Sequence, residues 1–88
     1  MIENEYTIVN IREYHLDNDA VLAYSATLVS KATGKRMDVE LSENAQGIAA
    51  YNRATDVLYP LVTEKKHIKD LGEGEVVEII VAVPRTDL

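Results

Sequence analysis

Eighty-eight residues with 47% hydrophobic and 27% charged side chains describe one folded domain, residues 1–88, rather than a fibrous or disordered chain. With no cysteine, disulfides, thiolate metal sites and thiol nucleophiles are all excluded, and a reducing, cytoplasmic setting is expected. Nine Lys and Arg against fifteen Asp and Glu leave a net charge of −6, which disfavours direct binding to nucleic acid or to an anionic membrane surface.

Residues 6–16 are rich in β-branched and aromatic types and run into Asp17-Asn18-Asp19, a turn-forming triplet. A strand followed by a tight connection is predicted. Residues 20–30 resume the extended pattern, with Leu22, Tyr24, Ala26 and Leu28 on one face at period two. Lys31-Ala32-Thr33-Gly34-Lys35 supplies a glycine suited to the positive φ of a hairpin loop. Met37, Val39 and Leu41 then alternate with Arg36, Asp38 and Glu40, the clearest half-buried strand in the chain. These three segments read as an antiparallel meander.

From Ser42, a helix N-cap type followed by Glu43, the spacing predicts an amphipathic helix. Ile48, Tyr51, Thr55, Leu58, Tyr59 and Val62 share one sector, opposite Gln46, Arg53, Asp56 and Glu64. Pro60 predicts a kink near residues 58–59, and the helix is expected to end by Gly72. Residues 75–83 form a last strand, apolar on both faces and ended by Pro84. The order β-β-β-α-β defines a two-layer α+β fold with one long, Pro-kinked helix on a four-stranded sheet.

One helix covers one sheet face, so the other is expected to seek a partner. Tyr6, Ile8, Tyr14, Tyr24, Val76 and Ile80 are its candidate interface residues, and a homo-oligomer or another protein is the expected occupant. The same topology places Lys31, Lys35 and Arg36 at one pole together with Lys65, Lys66 and Lys69, where they form a candidate anion site for a small molecule such as a nucleotide. Lys65, Lys66 and Lys69 are by themselves accounted for by the negative end of the expected helix, the favoured reading over an anion site. His15, Asp17 and Asp19 are spaced two apart, but a turn reading displaces a metal-site reading there.

Catalytic signatures are missing. Residues 32–36 contain Gly-Lys without the upstream glycine or the Ser/Thr of a phosphate loop. Gly72-Glu73-Gly74 precedes a strand instead of following one, and its acid would repel a pyrophosphate. No serine lies in a nucleophile elbow. The chain is therefore expected to be a non-catalytic, cofactor-free and metal-free binding or inhibitory protein acting through its acidic surface and sheet face. A nucleic-acid-handling enzyme with a basic groove is one fitting partner. Capture of an anionic small molecule at the basic end is the alternative.

Overall fold

The computed structural model describes residues 4–16 and 21–84, the side chains of 14–16 and 21–22 excepted. Seven strands follow one another: β1 Glu5–Leu16, β2 Val21–Ser30, β3 Arg36–Asn44, β4 Gly47–Asn52, β5 Val57–Val62, β6 Val76–Ile79 and the short β7 Val83–Pro84. The one helical element among the described residues is a 3-10 turn at Ile68–Asp70. Each strand from β1 to β6 pairs antiparallel with its neighbour in sequence, and β6 returns to pair with β1. The result is a closed six-stranded antiparallel barrel.

This overturns the expected α+β fold. The segment assigned to the helix is instead β4, a turn, β5 and the start of a long crossing segment. The helical sector shares only Ile48 and Tyr59 with the two strands that line the barrel: Ile48 and Ala50 face inward from β4, Tyr59 and Leu61 from β5, and Val62 is turned out to solvent. What decides between the periods is turn chemistry. The Asn44 side chain accepts from the Gln46 amide at 2.7 Å, and Gly47 takes φ 132° to close the β3–β4 hairpin. The Asn52 side chain accepts from the Ala54 amide at 3.0 Å, and Asp56 adopts φ 58° at the β4–β5 turn. Two reversals within thirteen residues leave no room for a helix. Pro60 does not kink anything. The ladder on its β6/β7 side skips Tyr59 and Pro60, since β6 pairs with Leu61 and Val62 and β7 with Val57 and Leu58. An imino acid with no N–H to give sits where that ladder is interrupted.

The meander of β1, β2 and β3 is as expected from the alternation. Ala26 and Leu28 on β2, and Val39 and Leu41 on β3, are buried inside the barrel. Ile8, Leu28 and Val77 are the largest side chains fully enclosed. A six-stranded barrel is narrow enough for its inward side chains to fill it, so this is a packed core and not a channel. Closure also removes the flat, two-faced sheet on which an uncovered apolar face was expected. Ile8, assigned to that face, is 0% exposed.

β1 carries a one-residue bulge: Val9 pairs with Thr27, but the next pair is Arg12 with Ser25. Asn10 takes φ 58° at this point, a left-handed conformation that asparagine tolerates better than most side chains. The bulge bends β1 so that it can belong to both the β2 ladder and the β6 ladder.

The connections alternate between the two ends of the barrel. Residues 31–35 and 53–56 close one end, here called the mouth. Residues 45–46 and the long segment 63–75 lie at the other, the strapped end. The strap drops Ile68 (3% exposed) and Leu71 (7%) onto the core and closes that end with apolar side chains.

Candidate functional site

Three surfaces carry side chains beyond what the core requires. The strapped end is held by carboxylates. Glu43, near the end of β3, accepts from the Ile68 amide at 2.8 Å through one oxygen and lies 2.9 Å from Nδ1 of His67 through the other. The hydrogen bond with His67, then that from the Ile68 amide, hold the Glu43 carboxyl below its ordinary value. Glu73 spans the bulge: its two oxygens accept from the amides of Asn10 at 2.9 Å and Ile11 at 2.6 Å. Two successive N–H groups pointing the same way form an anion-binding concavity, and here the chain fills it with its own acid. The Gly72-Glu73-Gly74 turn thus has a structural duty: Gly74 takes φ 85° and its amide donates to the Ile8 carbonyl at 2.7 Å.

At the mouth, a cleft of about 710 Å³ opens between the β2–β3 loop and the β4–β5 turn. Tyr6, Met37 and Tyr59, all partly buried against the core, form its floor. Lys35 and Arg36 stand on its rim with Thr33, Asp38 and Asn52. Neither Lys35 nor Arg36 forms an ion pair among the described residues. The nearby acids are engaged elsewhere: Glu5 lies 3.9 Å from Lys31, Asp38 accepts from the Thr27 hydroxyl at 2.8 Å, and Asp56 accepts from the Tyr51 hydroxyl.

The third surface lies on the outer wall. Val62 on β5, Val76 on β6, and Ile80 and Val81 just beyond β6 are 45–64% exposed. Val62 pairs with Glu78, so Val76 lies on the diagonal across the same wall, and the two share a shallow groove with Glu64, Lys65 and Glu75.

The basic residues expected at one pole are divided between the two ends. Lys31, Lys35 and Arg36 are at the mouth, while Lys65, Lys66 and Lys69 belong to the strap. β3 runs the height of the barrel between them, with seven residue steps from Arg36 to Glu43, or roughly 20 Å. The reason is topological: a hairpin in place of a helix reverses the chain once more and sends residues 63–75 to the far end. The six-residue anion site is therefore not assembled, and the mouth retains only its first half.

Of the expected interface residues, Val76 and Ile80 are exposed, Ile8 is core, Tyr6 and Tyr24 are packed against the core, and the Tyr14 side chain lies outside the described residues. Asp17 and Asp19 also lie outside them. Among the described residues, no group of three His, Cys, Asp or Glu side chains converges as metal ligands, and no helix is long and apolar enough to cross a membrane. Val62 and Tyr59 were not singled out as surface candidates, since each was assigned to the inner sector of a helix that does not form, and Val81 was read into a last strand that ends at Ile79. Comparison with family models, curated proteins and solved structures returned no match, so the site rests on its own geometry.

Proposed function

We propose that this chain is a non-catalytic binding protein of the cytoplasm that docks on another protein through the outer wall of β5 and β6. The observation that carries this reading is the exposure of Val62, Val76, Ile80 and Val81, each about half exposed, with Glu64, Lys65 and Glu75 beside Val62 and Val76 in one groove and Glu78 paired with Val62. Scattered single apolar residues need no explanation, but Val62 and Val76 in one groove rimmed by charge, with Ile80 and Val81 exposed on the same chain segment, have the form of a docking surface.

The four side chains expose on the order of 300 Å² of apolar surface, worth about 7 kcal/mol gross when removed from water. Association itself costs a comparable amount, about 4–15 kcal/mol. The apolar group alone is marginal, and the acidic rim must contribute. Glu64, Glu75 and Glu78 against Lys65 leave this surface net negative, and a second copy would bring the same excess toward it, so a basic partner face, such as a nucleic-acid-handling protein displays, is favoured over the homo-oligomer.

The test compares immobilised wild type with a Val76→Asp/Ile80→Asp variant and with Lys35→Ala/Arg36→Ala. A partner retained by wild type and by the mouth variant, lost from the wall variant, and released as salt rises is the expected result. Retention that survives the wall variant, or that is indifferent to salt, refutes the reading. Light scattering on the same proteins reads self-association: a dimer abolished by the wall variant would replace the basic partner with a second copy.

A further inference from the structure

The mouth of the barrel has a different chemistry from the outer wall, and it points to a different ligand. We infer that the cleft above Tyr6, Met37 and Tyr59 binds a small organic anion that carries a planar ring, with its charged group held by Lys35 and Arg36. The volume, about 710 Å³, falls within the range of small-molecule sites, and the mouths of β-barrels are recurrent places for them.

The floor selects the ring. Tyr6 and Tyr59 pack against the core and still line the cleft, so they present aromatic surface already fixed by the barrel wall, which lowers the ordering cost of binding. Met37 adds a polarizable thioether that makes favourable contact with ring edges. Tyrosine and methionine are accompanied on the rim by the Thr33 hydroxyl and the Asn52 amide, which supply hydrogen bonds that fix an orientation.

The rim selects the charge. Lys35 and Arg36 have no ion-pair partner among the described residues, whereas Lys31 is paired with Glu5 and Arg53 with Glu40 at 2.8 Å. Glu5 lies 3.9 Å from Lys31, and Asp38 and Asp56 accept from the Thr27 and Tyr51 hydroxyls and keep their charge; Asp38 is the one acid lining the cleft, against both Lys35 and Arg36, so the lining carries a net positive charge. Two adjacent cations over an aromatic floor suit a phosphate monoester or a free carboxylate on an aromatic body. The overall charge of −6 repels a long polyanion, so a free small molecule is the occupant and a nucleic-acid strand is not.

The probe is 1-naphthyl phosphate, titrated by fluorescence and by amide chemical shifts, with 1-naphthol and inorganic phosphate as the partial ligands. Saturable binding of the ester is expected, with shifts at Ser30, Met37 and Tyr59 and none at Ile68. Each partial ligand should bind at least about tenfold more weakly, and Lys35→Ala/Arg36→Ala should weaken the ester by about tenfold or more. Both substituted side chains are exposed, and an unchanged thermal midpoint verifies the fold. Absence of saturation up to about 5 mM overturns the inference, since nothing weaker than that repays the ordering of ligand and side chains. Binding that is unaffected by the double substitution, or equal for 1-naphthol, also overturns it. The wall variant Val76→Asp/Ile80→Asp should leave probe affinity unchanged, so this inference fails or stands separately from the protein-docking surface.

Discussion

Glu73 is the side chain whose removal tests the barrel's construction most directly. Its carboxylate is the acceptor for two consecutive amides of the β1 bulge, at 2.9 and 2.6 Å, and the next two residues anchor the same turn, Gly74 through its amide to the Ile8 carbonyl and Glu75 through its carbonyl to the Ile8 amide at 2.9 Å. A hydrogen bond to a charged group is worth about 1.5–3 kcal/mol when water is excluded. This site is exposed, so water replaces part of what is lost, and the expected cost of Glu73→Ala is about 1–2 kcal/mol for the pair. For a domain of this size that lowers the thermal midpoint by roughly 5–15 °C. Glu73→Gln keeps one acceptor oxygen but turns an N–H toward the second amide, so it should recover no more than about half of the loss. Urea titration followed by far-UV circular dichroism is the assay, with the midpoint falling and the slope unchanged. A Glu73→Ala midpoint within about 0.3 kcal/mol of wild type would show that the bulge amides are equally well served by water, and the carboxylate would then be an incidental contact.

Asn10, at φ 58° in the same bulge, should tolerate glycine with little change, whereas Asn10→Val should destabilise by about 1–3 kcal/mol because a β-branched side chain resists that conformation; equal stabilities would mean the bulge relocates. Leu28 is 0% exposed inside the barrel, and Leu28→Ala should cost about 2–5 kcal/mol, enough to bring a small domain close to unfolding; a loss under about 1 kcal/mol in the same titration would contradict the packed interior. Glu43 contributes through pH. Its folded-state pKa lies below the ordinary 4.5, so its contribution is complete above that value and is lost as pH falls through the lowered one. The stability gap between wild type and Glu43→Gln should therefore narrow as pH falls below 4.5; a gap that widens over that acidification reverses the sign and sinks the assignment. Faster exchange of the Ile68 amide in Glu43→Gln should report the loosened strap.

Much of the wall of this barrel could be read one residue at a time. The period-two patterns of Tyr24 to Leu28 and of Met37 to Leu41, the hairpin at Gly34 and the strand nature of residues 76–79 are local properties of the chain, and the structure keeps all of them; the Leu22 side chain lies outside the described residues. The helix from Ser42 onward failed because Ile48 and Tyr59 fit both a helical sector and the inner faces of two strands; Ala50 and Leu61 complete those inner faces, and Val62, read as helix interior, turns outward. The deciding signals were polar: Asn44 with Gly47, and Asn52 with Asp56, each competent to turn the chain through its own side chain or a left-handed backbone. Weighing those four residues as reversals would have yielded β4 and β5.

The sequence by itself determined a small, acidic, cysteine-free domain, its strand-forming segments and the identity of its charges. Tertiary structure alone decided that the sheet closes on itself, because closure depends on β6 meeting β1 across nearly the whole chain, a pairing no local pattern encodes. That pairing divided the basic residues between two ends, turned Ile8 inward and placed Glu73 on the amides of Asn10 and Ile11. It also left Lys35 and Arg36 above Tyr6, Met37 and Tyr59. Function here rests on which side chains become neighbours, and neighbours more than twenty residues apart are chosen by the fold.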